Sequence, residues 1–109
     1  MNNQYDVGAY TPIIGFCISE SLGLYIVNHS IIGFRYEWLN GNDVISLYTS
    51  NQNFIIYKHN SDLDFQLIAK KIITRIMDFL RYDINTNINI DKIIEEVIEN
   101  EKETIDINN

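Results

Sequence analysis

Residues 31–49 read IIGFRYEWLNGNDVISLYT, and this stretch decides the fold. Two runs rich in β-branched and aromatic residues flank Asn40-Gly41. Both turn residues tolerate the positive φ that a two-residue hairpin turn requires. We therefore predict an antiparallel hairpin of strands 31–38 and 43–49. The turn sets the opposed pairs, which are Trp38 with Asp43, Tyr36 with Ile45, and Phe34 with Leu47.

Further β-rich segments, separated by polar turns, lie on both sides of this hairpin. Strands are predicted at 13–18, 22–28 and 54–58, with Pro12 limiting any first strand to residues around 5–10. Continuing the hairpin register through these turns gives three further pairs: Leu47 with Ile56, Phe34 with Leu24, and Leu24 with Phe16. The pattern predicts one antiparallel meander of five or six strands over residues 5–58. Its inward face holds Phe16, Ile18, Phe34, Tyr36, Trp38 and Ile45, among others.

Two amphipathic helices are predicted after the strands. Residues 61–82 carry an apolar stripe at helical spacing, and Ser61 is suited to cap the first turn. Residues 83–89 are polar and form a predicted linker, residues 90–103 an acidic helix, and residues 104–109 a tail. The expected fold is α+β, a single domain over residues 1–109 with both helices packed on one face of the sheet.

The acidic helix leaves three alternatives open. Its stripe of Ile90, Ile93, Ile94, Val97 and Ile98 docks on its own chain, exchanges with a symmetry mate, or orders on a foreign partner. In each case we expect five acidic side chains to stay in solvent: Glu95, Glu96, Glu99, Glu101 and Glu103. Lys70, Lys71 and Arg75 form a basic face on the preceding helix. That face is a candidate site for phosphate or an acidic partner, or an ordinary solvated face that the acidic tail neutralises.

The net charge of −7 is unevenly distributed, with −2 in residues 1–90 and −5 in residues 91–109. This balance disfavours nucleic acid and anionic membranes as partners, because both are bound by neutralising phosphates with Lys and Arg. It permits a basic protein partner. Met1–Pro12 has no secretory pattern, no apolar run approaches about 20 residues, and there is one cysteine, so we expect a cytoplasmic protein. The 21 Ile and 14 Asn suggest an AT-rich genome, such as a low-GC bacterium or its phages.

No pattern in the chain indicates catalysis, a metal or a cofactor. His29, His59 and Cys17 lie in separate segments without the spacing of zinc ligands. Neither a Gly-rich phosphate loop nor a Gly-x-Ser-x-Gly turn is present. We therefore expect no enzymatic activity and no cofactor, although a small anionic ligand held by basic and aromatic side chains stays an alternative.

The opposite face of the predicted meander is too apolar for a surface that faces only water. Its binding candidates are Tyr25, Arg35, Tyr48, Ile55 and Tyr57, because Tyr and Arg are enriched at interface hot spots. Three occupants are open: a strand from Tyr5 to Tyr10 of the same chain, a second copy packed face to face, or a different protein or ligand.

The expected function is that of a small binding or inhibitory protein that acts by protein–protein interaction and is a homodimer or bound to a protein partner. Immunity proteins and phage-borne inhibitors of host defence share this general profile. The alternatives are a homo-oligomeric binder of a nucleotide-like anion and a purely structural assembly subunit.

Overall fold

The computed structural model describes residues 14–108 of the chain. Within them, six strands and two helices follow one another, so the α+β class is confirmed. The elements are β1 (Phe16–Ser19), β2 (Leu24–Val27), β3 (Ile31–Leu39), β4 (Asn42–Thr49), β5 (Asn53–Lys58), α1 (Phe65–Tyr82), β6 (Ile88–Asn89) and α2 (Ile90–Asn108). The start of the predicted sheet, residues 5–13, lies outside the described residues.

The β3–β4 hairpin has the predicted turn and register. Asn40 and Gly41 both have positive φ, 53° and 83°, a conformation that both residue types tolerate. Phe34 opposes Leu47, Tyr36 opposes Ile45, and Trp38 opposes Asp43. One departure is a bulge between Ile31 and Gly33, which ends the regular pairing at the start of the strand.

The predicted single meander is wrong, because the strands form two sheets. One sheet has the order β2-β1-β6 and the other β3-β4-β5. The pairing of Phe34 with Leu24 is absent, since a 3-10 turn at Asn28–Ser30 separates β2 from β3. Asn28 is buried in this turn, and its amide nitrogen Nδ2 donates to the carbonyl oxygens of Ile84 and Thr86, both at 2.8 Å. This contact ties the turn to a segment far along the chain, away from β3.

The β1–β2 pairing is shifted by three residues from the prediction, and an odd shift exchanges the faces of β1. Cys17 opposes Ile26 and Ser19 opposes Leu24, so Phe16 does not oppose Leu24. Gly23 adopts a positive φ of 67° in the loop and sets this register. As a result Cys17 and Ile26 are buried in the core, while Ile18 lies on the other face.

A bulge in the second sheet also alters the predicted β4–β5 pairing. Leu47 opposes Phe54 rather than Ile56, and the register shifts between Ile45 and Ser46. The extra residue lets Ile56 and Tyr57, which are neighbours in sequence, both reach the interior.

The predicted linker 83–89 ends in a strand of the first sheet. Its last two residues form β6, which pairs with β1 in parallel through Cys17 and Ile88. The side-chain oxygen of Asn87 accepts a hydrogen bond from the backbone N–H of Phe16 at 3.1 Å. The chain returns from α1 to β1 before α2 begins.

Helix α1 matches the prediction except at its start. Asp64, not Ser61, is the N-cap, and its carboxylate accepts from the backbone N–H of Gln66 at 3.1 Å. The apolar stripe is buried as expected, with Phe65, Ile68, Ala69, Ile72 and Ile76 in the core. These five residues belong to the same buried cluster as Ile45, Leu47 and Ile56 of the β3-β4-β5 sheet.

Helix α2 docks on its own chain, which is the first of the three alternatives. Ile90, Ile93 and Val97 belong to the same buried cluster as the α1 stripe. The side chain of Asn89 caps this helix by accepting from the backbone N–H of Lys92 at 3.0 Å. α2 also extends to Asn108, so the predicted tail is largely helical.

Gly15 is where the first sheet, the Asn28 turn and the 84–86 segment meet. A Cβ atom on Gly15 would lie 2.4 Å from the carbonyl oxygen of Thr86 and 2.6 Å from Nδ2 of Asn28. We predict that Gly15→Ala lowers the free energy of unfolding by about 2–3 kcal/mol, because backbone must shift to admit the methyl group. Urea denaturation followed by circular dichroism measures this change.

Gly33→Ala is the matched control, since a Cβ there meets nothing within 4 Å. It should change the free energy of unfolding by less than about 0.5 kcal/mol. Equal unfolding midpoints for both variants would show that the close approach at Gly15 is not a constraint on the fold.

Candidate protein-binding site

The outer side of β3 forms a long apolar edge. Among residues 14–108, β3 has a strand partner on one side only, because it is the end strand of the order β3-β4-β5. Ile32, Tyr36 and Trp38 expose 71%, 47% and 69% of their surface, and Phe34 is half-buried. These four residues are called the β3 edge surface below. A nine-residue edge strand with this much exposed apolar surface is unusual for a monomer.

The position of α1 explains why these aromatic side chains stay exposed. The register with β4 places Tyr36 on the core side, beside Ile45. Its ring meets the ring of Phe65 edge-on, with centroids 6.1 Å apart. Phe65 is the first residue of α1, so Trp38, two residues nearer the hairpin turn, lies beyond the cover of the helix. The sequence pattern predicts Phe34, Tyr36 and Trp38 on the inward face. Phe34 and Tyr36 do lie on the core side, whereas Trp38 is exposed.

Two hollows lie on the helix side of β3, one at each end of the strand. The hollow at the turn end has a volume of about 470 Å³ and is lined by Tyr36, Glu37, Trp38, Asp43, Asp64, Phe65 and Gln66. The hollow at the start of the strand has a volume of about 240 Å³ and is lined by Ile31, Ile32, Gly33, Phe34, Met77, Leu80 and Arg81. The first is acidic and aromatic, and the second is apolar with one basic group.

The opposite side of the β3-β4-β5 sheet brings together two of the predicted binding residues. The guanidinium of Arg35 lies 5.2 Å from the ring centroid of Tyr48. Arg35 Nη1 is 3.8 Å from Oε2 of Glu37, and the Tyr48 hydroxyl donates to the same oxygen at 3.3 Å. These contacts hold one positive and one negative side chain next to each other along the edge strand.

The other three candidates of the predicted binding face do not join this cluster. Ile55 is exposed on β5, opposite Ser46, and Tyr25 is exposed on β2 in the other sheet. Tyr57 is buried, so its assignment to an exposed face is wrong. The β4–β5 bulge turns it inward, and burial raises the pKa of its hydroxyl. The cover predicted from Tyr5 to Tyr10 lies outside the described residues.

The Tyr57 hydroxyl belongs to a structural contact at the start of α1. It lies 2.8 Å from His59 Nδ1, and His59 Nε2 lies 2.8 Å from the carbonyl oxygen of Leu63. A carbonyl only accepts, so Nε2 carries the proton and Nδ1 accepts from the tyrosine. The imidazole thus links the end of β5 to the segment that leads into α1, where Phe65 packs against it.

The charged faces of the two helices pair with each other. Lys71 forms an ion pair with Glu101, and Arg75 with Glu96 at 2.8 Å. Glu101 is buried, which corrects the expectation that it stays in solvent. The predicted basic and acidic residues that take no part in these two ion pairs are exposed: Lys70, Glu95, Glu99 and Glu103. Two of the three basic candidates are therefore occupied within the chain.

A groove of about 530 Å³ lies between the β1–β2 loop, β5 and α2. The carboxylate of Asp91 lies at one end, where it accepts from the hydroxyls of Ser19 at 2.7 Å and Ser21 at 3.0 Å. It also accepts from the backbone N–H of Ser21 at 2.9 Å. Burial acts to raise the pKa of Asp91, but these hydrogen bonds outweigh it, and the pKa lies below its ordinary value. Asp91 therefore anchors the loop to α2, and does not cap the helix.

The groups with potential for catalysis or metal binding are dispersed. Cys17 is fully buried, and burial raises the pKa of its thiol to about 12, so it is a packed and unreactive side chain. Within residues 14–108, no three His, Cys, Asp or Glu side chains converge in a way that would hold a metal ion. The arrangement instead offers exposed apolar surface beside paired charges.

No protein-family model, curated protein or solved structure matches this chain. Neither of the two described helices is both long and apolar enough to span a bilayer.

The Asp91 contacts predict a pH dependence of stability. A carboxylate whose pKa is lowered on folding stabilises the protein above the pKa of the unfolded chain, about 3.9, and loses that contribution as the pH falls through the folded pKa. We predict that Asp91→Asn costs about 1–2 kcal/mol at pH 7 and that its difference from wild type shrinks below about pH 4. Chemical denaturation at a series of pH values measures both effects.

Asp78→Asn is the control, because Asp78 is exposed and makes no side-chain hydrogen bond with another described residue. It should cost less than about 0.5 kcal/mol at pH 7. A difference between wild type and Asp91→Asn that stays constant down to pH 2 would contradict the assigned role of the carboxylate.

Proposed function

We propose that this protein is a non-catalytic binding protein that acts by protein–protein contact through the β3 edge surface. The observation that carries the proposal is the nine-residue edge strand, on which Ile32, Tyr36 and Trp38 are largely exposed. Soluble proteins protect such edges with short strands, lysines, prolines or a covering element. β3 is nine residues long and carries neither lysine nor proline. Its bulge lies at the start of the strand, and its charged residues Arg35 and Glu37 pair with each other, so the regular edge Gly33–Leu39 supports a role in binding.

An edge strand offers two kinds of contact to a partner. Its outward backbone N–H and C=O groups accept another strand, and its alternate side chains give specificity. On the helix side that specificity rests on Tyr36 and Trp38 and on the acidic hollow next to them. Aromatic residues of this kind dominate the energetics of interfaces.

The alternative functions find less support. A binder of nucleotide-like anions would use the basic face of α1, but Lys71 and Arg75 already pair with acidic residues of α2. Inhibition of a target, as in the immunity-protein profile, and assembly into a larger complex are both forms of the proposed binding. The single cysteine of the chain is buried and free, which supports a cytoplasmic location for this activity.

A comparison of three baits tests the proposal. Wild type, Trp38→Lys and Tyr82→Lys are immobilised, and the proteins retained from a lysate of the source cells are quantified by mass spectrometry. We expect retention of a specific protein, whether a foreign one or further copies of the chain, to fall at least tenfold with Trp38→Lys, because a lysine on an edge strand blocks strand addition. Trp38 is 69% exposed, so at concentrations where wild type is monomeric the variant should keep the wild-type unfolding midpoint.

Tyr82→Lys is matched to this change, since Tyr82 is also an exposed aromatic residue, 79% accessible, but lies at the end of α1. It should retain the same proteins as wild type. Retention of an identical set by all three baits would move binding away from β3 and contradict the proposal.

A further inference from the structure

We propose that the partner of the β3 edge is the β3 strand of a second copy, paired antiparallel about Tyr36. This inference rests on the proposed function and names the partner for the same surface. The observation behind it is the sequence of the strand, Phe34-Arg35-Tyr36-Glu37-Trp38. Aromatic residues alternate with one basic and one acidic residue, symmetrically about Tyr36.

Antiparallel pairing about Tyr36 matches every side chain of this segment with a complementary one. Arg35 opposes Glu37 of the second copy, and Glu37 opposes Arg35. Phe34 opposes Trp38 in the same reciprocal way, and Tyr36 opposes itself. Opposed pairs of opposite charge and of aromatic rings each stabilise an antiparallel sheet. Pairing about any other residue removes the match between Arg35 and Glu37, and pairing about Arg35 or Glu37 opposes like charges.

The irregularities of β3 independently select the same centre. The bulge between Ile31 and Gly33 ends regular pairing at Gly33, and the Asn40-Gly41 turn ends it after Leu39. The regular segment is thus Gly33–Leu39, and its middle residue is Tyr36. A two-fold axis perpendicular to the sheet at Tyr36 opposes Gly33 to Leu39 and uses the whole segment.

The charges on the helix side are also complementary under this two-fold axis. Antiparallel pairing places the hollow at the start of one β3 beside the hollow at the end of the other. Arg81 lines the first hollow, and Asp43 and Asp64 line the second. None of these three residues forms an ion pair with another residue of 14–108. The second copy supplies the opposite charge to each.

The exposed aromatic side chains of β3 are also buried in the proposed dimer. Trp38 of the second copy lies next to Phe34, at the hollow of about 240 Å³ that Met77 and Leu80 also line. The two sheets join into one six-stranded sheet with the order β5-β4-β3-β3-β4-β5, and the α1 helices lie on the same face. Because both copies contribute the same segment, the contact is closed and ends at the dimer.

Charge reversal tests the register directly. We expect the wild-type chain to be a dimer by sedimentation velocity and its only tryptophan, Trp38, to shift its emission to shorter wavelength as dimer forms. Arg35→Glu and Glu37→Arg should each raise the dissociation constant at least tenfold, because each opposes two like charges across the two-fold axis. The combined variant Arg35→Glu with Glu37→Arg should restore wild-type affinity.

Mixing the two single variants gives the sharpest outcome. Each alone opposes like charges, whereas one copy of each opposes only unlike charges, so the mixture should form a heterodimer with near wild-type affinity. This result also shows that both variants are folded. Lys70→Glu, a reversal on the exposed face of α1, should leave the dissociation constant within about twofold of wild type.

Three outcomes would overturn the inference. The first is a wild-type chain that stays monomeric at concentrations up to roughly 1 mM. The second is a dimer whose affinity the reversals do not change, which places the contact elsewhere. The third is a monomer with short-wavelength Trp38 emission, which means that the chain covers its own edge. If the chain is monomeric but a foreign protein is retained by wild type and lost by Trp38→Lys, the proposed function stands and the self-pairing fails.

Discussion

The side chain of Asn28 is the contact on which the arrangement of both sheets depends. Its amide donates to the carbonyl oxygens of Ile84 and Thr86, and its backbone N–H donates to the carbonyl of Gly15 at 2.9 Å. The amide oxygen has no partner among residues 14–108, a cost of about 1–3 kcal/mol that the other hydrogen bonds offset. The buried side chain of Asn28 fixes where the chain turns.

That turn has consequences at both ends of the molecule. By holding the 84–86 segment against β1, Asn28 positions β6 to pair in parallel with β1, and α2 begins directly after β6. By ending β2 before β3 begins, it prevents the two strands from pairing and leaves the outer side of β3 without a neighbour among the described strands. The hydrogen bonds of Asn28 therefore account both for the packing of the core and for the exposure of the β3 edge.

The sequence predicts local structure well where residues close together in the chain determine it. The Asn40-Gly41 turn, its register and both helices follow from turn chemistry and periodicity over short distances. The number of sheets does not follow, because it depends on an amide contact 56 residues apart in sequence, between Asn28 and Ile84. The reversed face of β1 and the inward position of Tyr57 have similar causes. The β1–β2 loop shifts the predicted pairing by three residues, and the β4–β5 bulge turns one residue of β5 inward. Neither feature can be read from the residue composition.

The exposure of residues on β3 is mispredicted for the same reason. Arg35 and Tyr48 lie together as predicted, and Phe34 packs against the core, but Tyr36 and Trp38 are largely exposed although the pattern predicts them to face inward. In a continuous meander β3 would be an inner strand, and Arg35 and Glu37 would face only their neighbours within the chain. At a sheet edge, the same alternation of aromatic and charged residues is accessible to a strand of another molecule. The charged faces of α1 and α2 show the opposite outcome, since Lys71 and Arg75 find their partners within the chain. The charges of the helices are thus paired within the chain. Arg35 and Glu37 of β3 also lie 3.8 Å apart within the chain, but they lie at a strand edge, where the proposed second copy would offer each of them a further partner.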